Sequence, residues 1–233
     1  MNSYIFPEKF GDEILKYVKE NYLPTREKRF RLTPFSSRDI RSFTPLIRQL
    51  HENFTKGRRG TFGGYFRFSE ARGAYLLGFY PLILGKLISL FKASKVLYHI
   101  KEGGELEVLD YAAGPLTATT ALLLFNPKLA PRIKVTAVDI ENKILNDGIR
   151  LLRKRFQEIK EIKLGSKIPY NKRFDLILVS HLVNEINNPE RFLLNFLNLI
   201  NENGIVIFNE PATRPASNIL MNIREVVSKN KEW

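Results

Sequence analysis

The feature that most constrains this chain is a change of hydrophobic pattern near residue 105. From there on, short apolar runs alternate with amphipathic stretches. Leu106–Asp110, Ile133–Asp139, Glu161–Leu164, Phe174–Ser180 and Gly204–Asn209 read as five strands. Thr117–Phe125, Glu141–Glu158, Glu190–Asn201 and Ser217–Lys229 read as helices. Such alternation predicts a mostly parallel sheet covered by crossover helices. FDLILVS and IVIFN are unbroken apolar runs, as expected of parallel strands buried on both faces. The expected fold is therefore α/β and Rossmann-like, with no segment accounting for the last strands of a full sheet of this type.

The first hundred residues follow a different rule. Phe10, Ile14, Leu15, Val18 and Tyr22 recur at helical spacing, as do Phe43, Leu46, Ile47, Leu50 and Phe54. Pro24 and Pro34 mark turns, and Gly57, Gly60, Gly63 and Gly64 fall in a basic loop. A helix-rich segment is expected from Ser69 to Tyr98. The chain thus divides into a basic helical region, 1–100, and a Rossmann-like domain, 101–233.

Four segments carry candidate chemistry. Glu107–Ala121, EVLDYAAGPLTATTA, ends a strand in Asp110, turns through small residues and opens a helix. That geometry sets a ligand against backbone N–H groups at a helix N-terminus. The usual three-glycine pattern is reduced to Gly114. Ala112 and Ala113 fill neighbouring positions, and Leu116 stands where the third glycine is usual. In VTAVDI, Asp139 follows Gly114 by 25 residues. It suits an acid that accepts hydrogen bonds from ribose hydroxyls, or alternatively a helix cap. Phe174–Ile186, FDLILVSHLVNEI, delivers Ser180, His181, Asn184 and Glu185 beyond the carboxyl end of a strand. His181 there can accept a proton or can serve packing. Asn203–Pro215 places Glu210 at the end of the fifth strand, with Pro211 locking the turn.

The block NPERFLLNFLNLINENGIVIFNE closely resembles the region after the nucleotide-binding half of class I S-adenosylmethionine (SAM) methyltransferases. A nicotinamide enzyme would carry a fuller glycine loop and a Tyr/Lys-type catalytic set. Asn209-Glu210-Pro211-Ala212 matches the Asn-Pro-Pro-Tyr motif of amino methyltransferases only superficially, because that motif belongs at the end of the fourth strand, where this chain has Ser180-His181. A narrower likeness extends over roughly residues 60–230. Ala74, Tyr75, Leu76, Tyr80 and Pro81, then Leu109–Ala118, then Leu182–Ile186, then Glu210–Thr213 with Ile223-Arg224 resemble, in order, elements of the mitochondrial small-ribosomal-subunit methyltransferase-like proteins and their prokaryotic relatives. The resemblance implies SAM as cofactor and RNA, above all small-subunit rRNA or the ribosome, as partner. It implies a donor site of Asp110, Ala112, Gly114, Asp139 and Ser180, with His181 and Glu210 as catalytic residues on the acceptor side. The family commonly carries cysteines that hold a metal or an iron–sulfur cluster. This chain has none, so no metal is expected.

Composition sharpens the choice of acceptor. With no cysteine, thiolate metal sites and a cysteine nucleophile are excluded, and with the latter the usual route to pyrimidine C5 methylation. A nitrogen or oxygen acceptor is expected instead. The net charge is +13, which draws polyanions: nucleic acid first, anionic membrane second, with simple dispersal of a soluble protein as the bland reading. Residues 25–60 hold ten cations against three acids, with Phe30, Phe35, Phe43 and Phe54 interleaved. Residues 150–173 hold nine against two. The long apolar stretch Ala74–Phe91 is interrupted by Pro81, Gly85 and Lys86, whereas a span needs about 20 clean residues. With an N-terminus unlike a signal peptide, a cytoplasmic location is expected. The competing functions are a ribosome-assembly factor that keeps the fold and RNA surface without turnover, which Leu116 favours, and a small-molecule methyltransferase.

Overall fold

The computed structural model describes residues 7–23, 34–55, 65–100, 102–183 and 185–229. Most of the first basic cluster, the glycine-rich loop and Asn184 lie outside the described residues. The helices are α1 (Glu8–Tyr22), α2 (Ser37–Thr55), α3 (Ser69–Gly78), α4 (Tyr80–Ser94), α5 (Thr117–Phe125), α6 (Asn142–Arg155), α7 (Pro189–Leu194) and α8 (Arg214–Lys229). The strands are β1 (Leu106–Tyr111), β2 (Ile133–Val138), β3 (Glu161–Gly165), β4 (Phe174–Ser180) and β5 (Ile200–Asn209). All five strands pair in parallel, in the order β3-β2-β1-β4-β5. The order reverses between β1 and β4, and in open α/β sheets ligands bind outside the carboxyl ends of the strands at that point.

One difference from the sequence reading concerns a single element. The expected helix Glu190–Asn201 is split. Only Pro189–Leu194 is α-helical, a tight 3-10 turn covers Asn195–Leu199, and β5 has already begun at Ile200. The β3–β4 connection, residues 166–173, contains no helix, although parallel strands usually need a dozen or more residues to cross over. The Lys172 ammonium fastens this short strap to Thr136 Oγ1 at 3.3 Å and to the Glu107 carboxylate at 2.6 Å.

Side chains on each strand alternate between two buried clusters, as the pleat requires. Leu106, Val108, Val135, Ala137, Leu176 and Leu178 join the same core as Phe10 and Ile14 of α1, Leu76 of α3 and Leu84 of α4. Leu109, Ile177 and Val179 face the other way and meet Leu193, Phe196 and Ile223. The N-terminal helices are therefore continuous with one face of the sheet. Polar bonds reinforce the join. Asp147 of α6 accepts from the Tyr17 hydroxyl at 2.8 Å and from Arg72 Nε at 3.0 Å. The Tyr80 hydroxyl donates to Thr120 Oγ1 at 3.0 Å. Among the described residues no single helix is long and apolar enough to cross a membrane. The α3–α4 pair, bent by 40°, meets that test only jointly.

Candidate active site

The loop leaving β1 is built from alternating backbone conformations. Ala112, Gly114 and Leu116 have φ of 54°, 51° and 56°, while Ala113 and Pro115 do not. Left-handed backbone costs a non-glycine residue on the order of 1–2 kcal/mol, so tertiary contacts must hold it. They do. Ala113 N–H donates to the Val138 carbonyl at 3.2 Å, and Gly114 N–H to Asp139 Oδ2 at 2.7 Å. Leu116 is fully buried in the core formed with the N-terminal helices. It anchors the loop from beneath and does not stand over Gly114, where a Cβ would meet nothing within 4 Å. The space beside Gly114 is open.

Asp110 and Asp139 divide the work at the two central strand ends. Asp110 is buried beneath the loop and accepts from both the amide (3.1 Å) and the hydroxyl (2.7 Å) of Thr119 through Oδ2. Burial pushes its pKa to about 7, against the lowering effect of those two bonds, with the Asp139 charge adding to the rise. Asp110 thus fixes the first turn of α5 from inside. Half-buried Asp139 is a staple between loops. Oδ1 accepts Glu141 N–H at 2.8 Å while Oδ2 holds the Gly114 amide. The N-cap of α6 is Glu141, which makes no side-chain cap. Burial raises the Asp139 pKa, and its two backbone bonds oppose the rise. Ile140 follows, 77% exposed.

On the far side of the switch point, β4 ends at Ser180, and His181 turns with φ of 58°. The His181 amide donates to the Asn209 carbonyl at 2.9 Å. Glu210 Oε1 accepts the Leu182 and Val183 amides at 2.8 and 3.2 Å, and its Oε2 is buried without a partner. Glu210 therefore clamps the β4 exit. Burial lifts its pKa to about 7. Burial and the nearby Lys86 ammonium lower that of His181, so its ring is biased to the neutral form. Glu185 joins the cluster. Its side of the rim is solvent-accessible, yet desolvation of the carboxyl group, then the Asp139 and Glu210 charges, push its pKa to about 7. Glu185 sits in a turn and not in the first turn of a helix, since α7 begins only at Pro189.

The fold thus gathers Asp110, Ala112, Gly114 and Asp139 on one side of the switch point and Ser180, His181 and Glu210 on the other. Sequence reasoning missed two contributors. Gly148 of α6 lies against the donor loop. Ile140 offers exposed apolar surface beside Asp139. Among the described residues no group of His, Asp and Glu is arranged to hold a metal ion.

The second basic cluster is less free than its composition implies. Lys160 pairs with Glu105 (2.5 Å), Lys163 with Glu161 (3.3 Å), Lys172 with Glu107 and Arg155 with Glu13 (3.8 Å). Its available charge rests on the five exposed cations outside these pairs, Arg150, Arg153, Lys154, Lys167 and Arg173.

Residues 102–233 match the family model described as a methyltransferase domain. The chain belongs to the methyltransferase domain family. No curated protein matches it. Solved structures similar to this methyltransferase include a candidate O-methyltransferase from Nostoc punctiforme, at 15% identity over 71% of this chain and 50% of that one, with a TM-score of 0.48. A candidate RNA methyltransferase from Pyrococcus horikoshii aligns at 15% identity over 76% of each chain, TM-score 0.44. The magnesium protoporphyrin IX methyltransferase of Synechocystis, solved with bound SAM, aligns at 12% identity over 62% of this chain and 72% of that one, TM-score 0.42. The chain spans half the length of the Nostoc protein.

Proposed function

We propose that this methyltransferase moves a methyl group from SAM to a nitrogen or oxygen of RNA, with small-subunit rRNA as the preferred acceptor. The observation that carries the donor half is the open space beside Gly114, in a loop whose Gly114 amide is held by Asp139. The residues fit the group: small side chains at Ala112, Ala113 and Gly114, an acid at the next strand end, and an exposed Ile140 to lie against a purine ring. When bound, SAM supplies an electrophilic methyl on a cationic sulfur. The chain aligns the acceptor and excludes water. His181, biased to its neutral form, is available to take the proton that the acceptor releases. Glu210 holds the His181 segment in place through the Leu182 and Val183 amides.

The acceptor half rests on the +13 charge and on the ordered resemblance to the small-ribosomal-subunit methyltransferase-like proteins. The test is calorimetric titration of the full chain with SAM, followed by incorporation of labelled methyl into small-subunit rRNA and into assembly intermediates. Saturable binding with incorporation supports the reading. Binding of both SAM and rRNA with no incorporation on any intermediate replaces it with an assembly role. RNA binding no tighter at moderate salt than that of an unrelated protein of equal charge removes RNA as the acceptor.

A further inference from the structure

We propose that the outer face of α6 is the surface on which the acceptor RNA lies, holding its phosphate backbone beside the donor loop. The inference rests on the RNA reading above and names the place where that partner docks. The apolar residues of α6, Ile144, Leu145, Leu151 and Leu152, are buried in the core shared with the N-terminal helices. Lys143, Arg150, Arg153 and Lys154 are exposed. In a helix with 3.6 residues per turn, the spacings of seven and four residues stack Lys143, Arg150 and Lys154 along one line, with Arg153 beside it. At 1.5 Å per residue the line is about 16 Å long, enough to meet several phosphates of a duplex.

Two features set this face apart. First, it shows no exposed acid. Asp147, the one acid of α6, is buried under Tyr17 and Arg72. By contrast α1 exposes Lys9 and Lys16 among Glu8, Asp12 and Glu20, and α8 exposes Arg224 and Lys229 beside Glu225. Among the described residues, Lys143, Arg150, Arg153 and Lys154 form no ion pair with an acid, whereas Lys160, Lys163 and Lys172 each do. Second, the helix dipole explains only part of the pattern. It favours cations in the last turn, where Arg153 and Lys154 stand, and disfavours them in the first. Lys143 is in the first turn, and no acid in that turn offsets it. An anion brought from outside relieves that opposition. The same turn adjoins the donor loop: Glu141 N–H binds Asp139, which holds the Gly114 amide, and Gly148 further along lies against Pro115. The line of cations therefore starts at the rim of the donor site and leads away from it. No large apolar side chain is exposed on α6. The face has nothing to insert into a bilayer or to stack on a base, and the contact it suits is with phosphates.

The experiment compares two triple variants of the full chain. Lys143→Gln/Arg153→Gln/Lys154→Gln removes the line, with Arg150 kept because it is next to the Asp147 junction. Lys92→Gln/Lys95→Gln/Lys128→Gln removes three exposed cations elsewhere. Both are titrated with small-subunit rRNA and with two short RNA duplexes of different sequence, over a range of salt. The α6 variant is expected to bind all three RNAs about tenfold or more weaker at moderate salt, with the slope of log affinity against log salt reduced by about two to three. SAM affinity and melting temperature should stay close to those of the unaltered chain. The charge-keeping variant Lys143→Arg/Arg153→Lys/Lys154→Arg should retain RNA affinity. An unchanged salt slope in the α6 variant overturns the proposal, as does an equal loss in the second triple variant. Loss of binding to phosphatidylserine vesicles with RNA binding intact also overturns it, and assigns the face to a membrane. If the unaltered chain binds RNA no tighter than an unrelated protein of equal charge, the RNA reading itself falls and this inference falls with it.

Discussion

Gly148 of α6 lies directly against the backbone of Pro115, so that a Cβ added there would stand 2.3 Å from the Pro115 carbonyl carbon and oxygen. This is the close approach that a glycine-rich loop normally provides from within. Here the glycine sits on the neighbouring helix, and the loop can carry Leu116 instead. Alanine for glycine inside a helix ordinarily gains about 1 kcal/mol. At Gly148 the sign should reverse. Gly148→Ala is expected to lose about 1–3 kcal/mol through overpacking and to weaken SAM binding by displacing Pro115, as read by urea denaturation and calorimetric titration of one preparation.

The Asp139 carboxylate serves two amides at once, those of Gly114 and Glu141. Asp139→Ala leaves both without their acceptor, at a cost of about 1–3 kcal/mol for each buried group. SAM affinity should fall by tenfold or more. Asp139→Asn, with one acceptor oxygen left, should lie between the two. An affinity unchanged in Asp139→Ala would remove this residue from the donor site.

Asp110 makes stability depend on pH. Its folded pKa, about 7, exceeds the ordinary 3.8, so the folded protein binds the proton more tightly than the unfolded chain. The associated stability is fully present below about pH 4 and is lost as pH rises through 7. The difference is on the order of 4 kcal/mol. Both Thr119 bonds go to one oxygen, which an asparagine can supply. Asp110→Asn should therefore fold and show a flatter decline of melting temperature between pH 5 and 8. A slope equal to that of the unaltered protein would assign the dependence to Glu185 and Glu210 instead.

Asp147 ties three helices together, with Tyr17 of α1 and Arg72 of α3 both meeting it on α6. The Arg72 and Asp147 side chains are 12% and 5% exposed. Removing the acid strands a largely buried guanidinium, so Asp147→Ala should cost about 3–5 kcal/mol. The double variant Asp147→Ala/Arg72→Met should cost less than the sum of its parts. Chemical denaturation of all three proteins measures the difference.

The sheet was legible because its central strands β1, β2 and β4 are buried on both faces, whereas the edge strands β3 and β5 are only half-buried. Phe174–Ser180 matches its predicted bounds, and β1, β2 and β3 differ by a single residue at one end. β5 starts four residues early because Ile200 already pairs with Phe174, ahead of an irregularity that takes up the polar residues 201–204 before pairing resumes at Ile205. The site was legible as a set of strand ends and less so as chemistry. Asp110 and Asp139 look alike in sequence, yet one is buried under the loop and the other bridges two loops. Leu116 reads as an obstruction, because a side chain at a glycine position reveals neither its φ nor the direction of its Cβ. Nothing in the local pattern around Gly148 points to the loop, because that residue meets it through tertiary packing.

The shared core of α1, α3, α4 and the sheet has a consequence for how such a protein can be altered. The change of composition near residue 100 is visible in the string of letters but has no counterpart as a plane of weakness in the interior. A chimera that swapped the leader for a foreign one would uncover the apolar flank of β1, β2 and β4 and surrender Tyr17, Arg72 and Tyr80 together. New specificity is better sought by redesigning exposed positions on these helices than by exchanging them wholesale.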